Sequence, residues 1–173
     1  MLADQTGTDM DPLTIALDLA GELERSGIRS VFGYGWWVLP ATKLAHALGA
    51  ALLFGCLVPM NLRMLGVWRS APLHDLARVL VRSSLVGGLV AIVSGVLLLS
   101  LNARGYVQNE MMWWKAGFFV AALLNALALR FVPAWRYLAR VDSRGTIRRF
   151  RWAGLIGLVA WGGVMVCGQL INF

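Results

Sequence analysis

Carboxylates are scarce in this chain, and the places where they are missing say more than the places where they occur. Nine Asp and Glu stand against sixteen Lys and Arg, and no carboxylate falls in the middle of a long apolar run. An ionisable side chain inside a membrane span usually marks an ion or substrate path. Without one, proton- or cation-coupled transport becomes the weakest of the functional readings. Cysteine is limited to Cys56 and Cys167, which fall on different apolar runs. Bridged Cα atoms must come within about 7 Å, so no disulfide is expected and both cysteines read as small buried hydrophobes. The chain has no Walker loop, zincin motif, Cys-x-x-Cys or nucleophile elbow. The start, MLADQTGTDMDP, carries neither the basic nor the apolar region of a cleavable signal peptide. The first apolar run is therefore expected to act as the insertion signal.

What fills the chain is hydrocarbon. Hydrophobic residues make up 58% of it, against about half in a soluble globule. They gather in four runs, Leu39–Leu65, Val79–Leu101, Met112–Val132 and Trp152–Phe173. Each reaches the roughly 20 residues a helix needs to cross a bilayer core. The predicted fold is all-α: a four-helix transmembrane bundle with a short N-terminal amphipathic helix at the outer interface. Residues 1–38 form an acidic outer-side segment, and residues 39–173 form the bundle as a single domain. Neither the first segment nor the connector Pro133–Arg151 can hold a soluble catalytic domain, so no catalytic activity of the chain's own is expected.

Charge orients the bundle. The side holding the 1–2 and 3–4 connectors has eleven Arg against Asp75 and Asp142. The side holding the termini has five basic residues against seven acids. The positive-inside rule then places the connectors in the cytoplasm and both termini outside. The basic excess lies beside the bilayer, where it meets anionic headgroups rather than nucleic acid. The run Arg140–Arg151 sets topology, or binds anionic lipid or a cytoplasmic partner. Trp36, Trp37, Trp113 and Trp114 mark the outer interface and Trp68, Trp135 and Trp152 the inner one, as an aromatic belt does.

Asp11-Pro12 predicts a helix start, with Asp as cap and Pro at the first helical position. Leu13, Ala16, Leu17, Ala20 and Leu23 then share one face, and Thr14, Asp18, Glu22 and Arg25 the other. Such a helix lies flat at the interface, or docks on the bundle or a partner, since its polar face is acidic. Small residues line each span: Ala47, Ala51 and Gly55; Ser84, Gly88, Ala91 and Gly95; Ala121, Ala122 and Ala128; Gly154, Gly157 and Gly168. Helices in lipid associate through close backbone approach, so a compact bundle is expected. No internal repeat supports an inverted-repeat transporter.

One ionisable group remains inside, His46, about two turns into the first span. Ser94 and Met165 come to a similar depth at about 1.5 Å per residue. Lys43 lies one turn above His46, and Lys115 occupies a comparable level. Two readings stay open. In one, His46 and Met165 ligate haem b or copper, whose ions accept such a pair, or His46 with Lys43 and Lys115 holds a quinone headgroup. In the other, His46 hydrogen-bonds Ser94 or a backbone carbonyl while the lysines reach for the interface. Haem bundles commonly offer two histidines, and His74 lies on the opposite face of the membrane. Asn125, among alanines in the third span, reads as interhelical glue worth about 0.6–2 kcal/mol.

The segments HALGAALLFG at His46–Gly55, NLRMLG at Asn61–Gly66 and NEMMWWKAGFFVAALLNALALR at Asn109–Arg130 together resemble a bacterial family of four-span inner-membrane proteins of unknown function. His46, Arg63, Leu65, Gly66, Lys115 and Asn125 fall on its recurrent positions. Asn61 stands where the family commonly has Asp, and Arg130 where it often has His, which weakens any ligand role at either place. A fainter likeness to copper-resistance-type membrane proteins rests on the first-span histidine. The resemblance implies the fold and a place in a bacterial inner membrane, which with the charge asymmetry puts both termini in the periplasm, and it implies no particular activity. The leading expectation is an accessory or anchoring subunit of a membrane complex, with the bilayer and a protein partner as its surroundings. The alternative is a redox or metal-handling protein centred on His46.

Overall fold

The Asp11-Pro12 pair starts the first helix, and the Asp11 carboxylate accepts a hydrogen bond from the Leu13 N–H at 3.3 Å. From there a computed structural model describes residues 11–131 and 148–171. Among these, α1 runs Pro12–Arg25, a 3-10 helix Gly27–Tyr34, α2 Val38–Leu65 and α3 Leu73–Leu99. A short α4 (Ala103–Val107) precedes α5 (Glu110–Phe131), and α6 spans Arg148–Leu170. The described residues contain no strand. α2, α3, α5 and α6 are each long and apolar enough to cross a membrane. The chain is a multi-pass membrane protein built as an all-helical four-span bundle.

Two helices start a turn or more before their apolar runs. α3 begins at Leu73, six residues before Val79, and α6 at Arg148 instead of Trp152. Hydropathy dips there because of Asp75, Arg78, Arg148, Arg149 and Arg151. Interleaved apolar side chains nonetheless pack: Leu73 and Ala77 join Met60, Met64 and Phe150 in a buried cluster. Packing one face of each turn is enough to keep the helix going. The expected connector Pro133–Arg151 lies largely outside the described residues, as do Trp135, Arg136, Arg140, Asp142 and Arg144.

The α2–α3 turn shows what the low-dielectric setting demands. Gly66 closes α2 in the left-handed region at φ 104°, its N–H bonded to the Arg63 carbonyl and that of Val67 to Leu62. Glycine takes this conformation without a Cβ clash. Arg63, which in the sequence reads as one more connector charge, is only 2% exposed. Its guanidinium donates to the carbonyls of Ala71 at 2.6 Å and Arg69 at 3.4 Å. Carbonyls beside a buried cation need donors, and this one long side chain supplies them to two carbonyls of the turn.

Three seams hold the spans. α2 packs on α3 and on α6, and α6 packs on α5, while no packed seam joins α3 to α5. The α2–α3 seam is backbone on backbone. A Cβ at Gly49 would stand 2.6 Å from the Ala91 nitrogen, and one at Gly87 would stand 2.7 Å from the Leu53 nitrogen. On the α2–α6 seam, Asn61 is wedged against Gly154 and Gly157. The α5–α6 seam lays the Phe118 ring over Gly163. In mid-bundle Phe54, Ala122, Ala160 and Trp161 are buried together. Phe54 and Phe119 both meet Trp161 edge to face at 5.9 Å.

The stripes of small residues divide unevenly between these seams. Ala91, Ser84, Ala122, Gly154 and Gly157 are buried, but Ala47, Ala51, Gly55, Ala121 and Ala128 are exposed. α2 approaches α3 through Gly49 instead, on the far side of the helix from Ala47. Four-residue spacing identifies a smooth face and leaves its neighbour undetermined.

At one end, called here the cap end, α1 docks on α4. The Glu24 carboxylate accepts from the Arg104 N–H at 3.0 Å, and Ala20 and Gly21 are buried. The Arg104 guanidinium lies across Gly21. Burial pushes the Tyr106 phenol in α4 above its ordinary range, so it stays a neutral hydroxyl. Trp36, Trp37, Trp113 and Trp114 are exposed at this end, and Trp68 and Trp152 at the other, the turn end.

Gly87→Leu should separate α2 from α3, since overpacking a tight contact costs about 1–3 kcal/mol. Thermal unfolding in detergent should show a clear fall in Tm, whereas Gly55→Leu, where nothing lies within 4 Å, should leave it unchanged.

Candidate functional site

His46 is placed by the α2–α3 seam. One turn toward the cap end from Gly49, the helices are close enough for its ring to reach the α3 backbone, and Nδ1 lies 2.8 Å from the Ala91 carbonyl oxygen. Only an Nδ1-protonated ring makes that contact a hydrogen bond, so the neutral ring presents a lone pair at Nε2. Gly95 leaves the space for the ring: a Cβ there would come within 3.1 Å of the imidazole. Ser94 stands beside it with Oγ 3.4 Å from Nδ1, but its hydroxyl is spent on its own helix, donating to the Val90 carbonyl at 2.5 Å. The ring is thus oriented by a backbone carbonyl, the kind of outer partner that fixes tautomer and direction in ligand-holding histidines.

Lys115 enters from α5. Its half-buried stem ends over Gly168 of α6, where a Cβ would stand 3.7 Å from Nζ. Gly168 adjoins the buried Cys167, so the ammonium comes to the Cys167 level of α6. No carboxylate pairs with it among the described residues. All four spans therefore contribute to one polar level near the cap end: His46 from α2, Ser94 and the Ala91 carbonyl from α3, Lys115 from α5, and Cys167 from α6.

Two other candidates stay outside this group. Lys43 is exposed. Met165 is 45% exposed, while Cys167 two residues on is only 6% exposed. Successive helical residues turn by about 100°, so turning Cys167 inward turns Met165 outward. His74 lies in the first turn of α3 at the opposite end, its Nδ1 3.2 Å from the Asp75 carboxylate. Among the described residues no group of three or more His, Cys, Asp or Glu is placed to hold a metal ion. The Lys115 charge also opposes a second cation beside His46. The arrangement is better suited to a neutral or anionic group that can accept from an ammonium and donate to an imidazole.

Asn125 acts elsewhere. Its amide donates to the Ala153 carbonyl at 2.9 Å, tying α5 to α6 toward the turn end. Cys167, read from the sequence as a small buried hydrophobe, is buried, and its place at the Lys115 level was not foreseen. Its position next to Gly168, one of the small residues of span four, was the available signal.

His46→Leu removes the donor to Ala91 and should destabilise the bundle by about 1 kcal/mol, in the range of measured interhelical bonds in lipid. Ser94→Ala, which removes a hydroxyl bonded within its own helix, should stay within about 0.5 kcal/mol; unfolding in mixed micelles measures both. Comparison with known family models, curated proteins and solved structures gives no match to this chain.

Proposed function

We propose that this chain is an accessory subunit of an inner-membrane complex, holding the headgroup of a lipid-soluble ligand between His46 and Lys115. Membership of the four-span family it resembles is part of the same proposal. So is the orientation, with connectors in the cytoplasm and termini in the periplasm. The observation that carries the reading is the half-buried Lys115 ammonium, with no carboxylate partner among the described residues, at the depth of an imidazole already oriented by Ala91. An ammonium donates to a carbonyl, hydroxyl or anionic oxygen, and Nε2 accepts from a hydroxyl. A quinone-type headgroup offers both functions in its oxidised and reduced forms. The absence of a seam between α3 and α5 leaves a side of the bundle by which such a molecule could enter from the bilayer.

The partner half of the proposal rests on α1. Its contacts with α4 use Ala20, Gly21 and Glu24, which leaves Ile15 and Leu19 exposed one turn apart beside Asp18 and Glu22. An apolar pair flanked by acids is a surface for another polypeptide at the periplasmic face.

Extraction from native membranes in mild detergent should recover the chain with a companion at fixed ratio; a lone monodisperse chain overturns the subunit reading. Solvent extraction of the purified sample should yield a quinone-type molecule near stoichiometric amount, falling at least tenfold in Lys115→Met. A Soret band, or stoichiometric copper or iron, lost in His46→Ala would replace this reading with the metal-handling one.

A further inference from the structure

The turn end lies at the opposite end of the spans from His46 and carries a surface groove. A groove of about 410 Å³ runs between the last turn of α2 and the first two turns of α6, lined by Leu65, Arg148, Arg151, Trp152 and Leu155. The four α6 residues are spaced at i, i+3, i+4 and i+7, which puts them on one face of the helix. Along that face polarity falls with depth: Arg148 is nearest the end, Arg151 and Trp152 come one turn in, and Leu155 one turn further. Leu65 closes the floor from α2. Among the described residues no carboxylate lines the groove and no ion pair occupies either guanidinium. Both arginines are exposed, and so are Trp152 at 56% and Leu155 at 42%.

We propose that this groove binds one anionic glycerophospholipid, its phosphate between Arg148 and Arg151 and an acyl chain along Leu65, Trp152 and Leu155. Charge complementarity selects the headgroup. Two guanidinium forks one turn apart on the same groove carry planar N–H donors of the kind that match phosphate oxygens. The apolar floor selects an amphiphile over a soluble anion, because free phosphate would leave Leu65, Trp152 and Leu155 uncovered. The indole beside the arginines stands at the level where aromatic rings meet the glycerol region of a bilayer. The Asn61 contacts with Gly154 and Gly157 hold the two walls at fixed separation, so the groove does not depend on the ligand for its shape. The site is the same in either orientation of the chain and independent of the ligand at His46.

Native mass spectrometry of the detergent-purified chain, titrated with phosphatidylglycerol or phosphatidylcholine, tests this. The wild type should retain one phosphatidylglycerol at least tenfold more tightly than phosphatidylcholine. The double variant Arg148→Gln/Arg151→Gln should lose that preference. Arg78→Gln/Arg82→Gln removes the same charge from exposed positions of α3 at the same end and should keep it. Equal losses in the two double variants would mean diffuse attraction to a basic surface and would overturn the site. Displacement of the bound lipid by millimolar inorganic phosphate would also overturn it, since the groove would then be a phosphate site with no role for its apolar floor. Matching thermal transitions for wild type and variants separate loss of binding from loss of fold.

Discussion

The contact of α2 with α3 at Gly49, Gly87 and Ala91 is the constraint from which most of this structure follows. In lipid there is no hydrophobic gain from bringing two apolar helices together, so association depends on how closely their backbones can approach. Two glycines and an alanine bring the α2 and α3 backbones into direct contact. At that separation the His46 ring one turn away can reach the Ala91 carbonyl. A wider seam would leave the imidazole without a partner. The same spacing carries the turn end, where Arg63 folds under the α2–α3 connection and pairs its carbonyls.

Polarity is rationed along the membrane normal. Mid-bundle belongs to Phe54, Phe119, Ala122, Ala160 and Trp161, with no ionisable side chain among them. Polar chemistry is confined to two levels, one below each interface. Near the cap end it is interior and shared by all four spans. Near the turn end it is split between a buried arginine that serves the backbone and exposed arginines beside a groove. A buried cation needs either donors' work, as Arg63 has with its carbonyls, or a counter-group. Lys115 has no carboxylate partner among the described residues, which is why its level stands out from a merely structural set of hydrogen bonds.

Much of the fold was legible because lipid imposes simple rules. Run length fixed the spans to within a few residues, and the Asp11-Pro12 cap located α1. The errors cluster where tertiary packing overrides hydropathy. Leu73 and Phe150 extend their helices because they are buried, although arginines around them lower the local average. Of the candidate site, the depths of His46 and Lys115 were readable from the rise per residue. The outward turn of Met165 was not, because depth ignores azimuth, and a two-residue shift along α6 decides whether a side chain meets Lys115 or lipid. Arg63 was invisible as a structural residue, since a sequence shows a charge and hides the carbonyls it will meet.

By itself the sequence determined the class, the number of spans and which residues share a depth, because these depend on composition and on rise per residue along one helix. Which helix meets which, through which glycine, and therefore which side chains converge, was decided only in the tertiary structure. Every span carries several smooth faces of nearly equal packing value, and the choice among them is a joint property of all four. That choice passes over Ala47, Ala51 and Gly55 for Gly49, leaves α3 and α5 without a common seam, and turns Cys167 inward and Met165 outward.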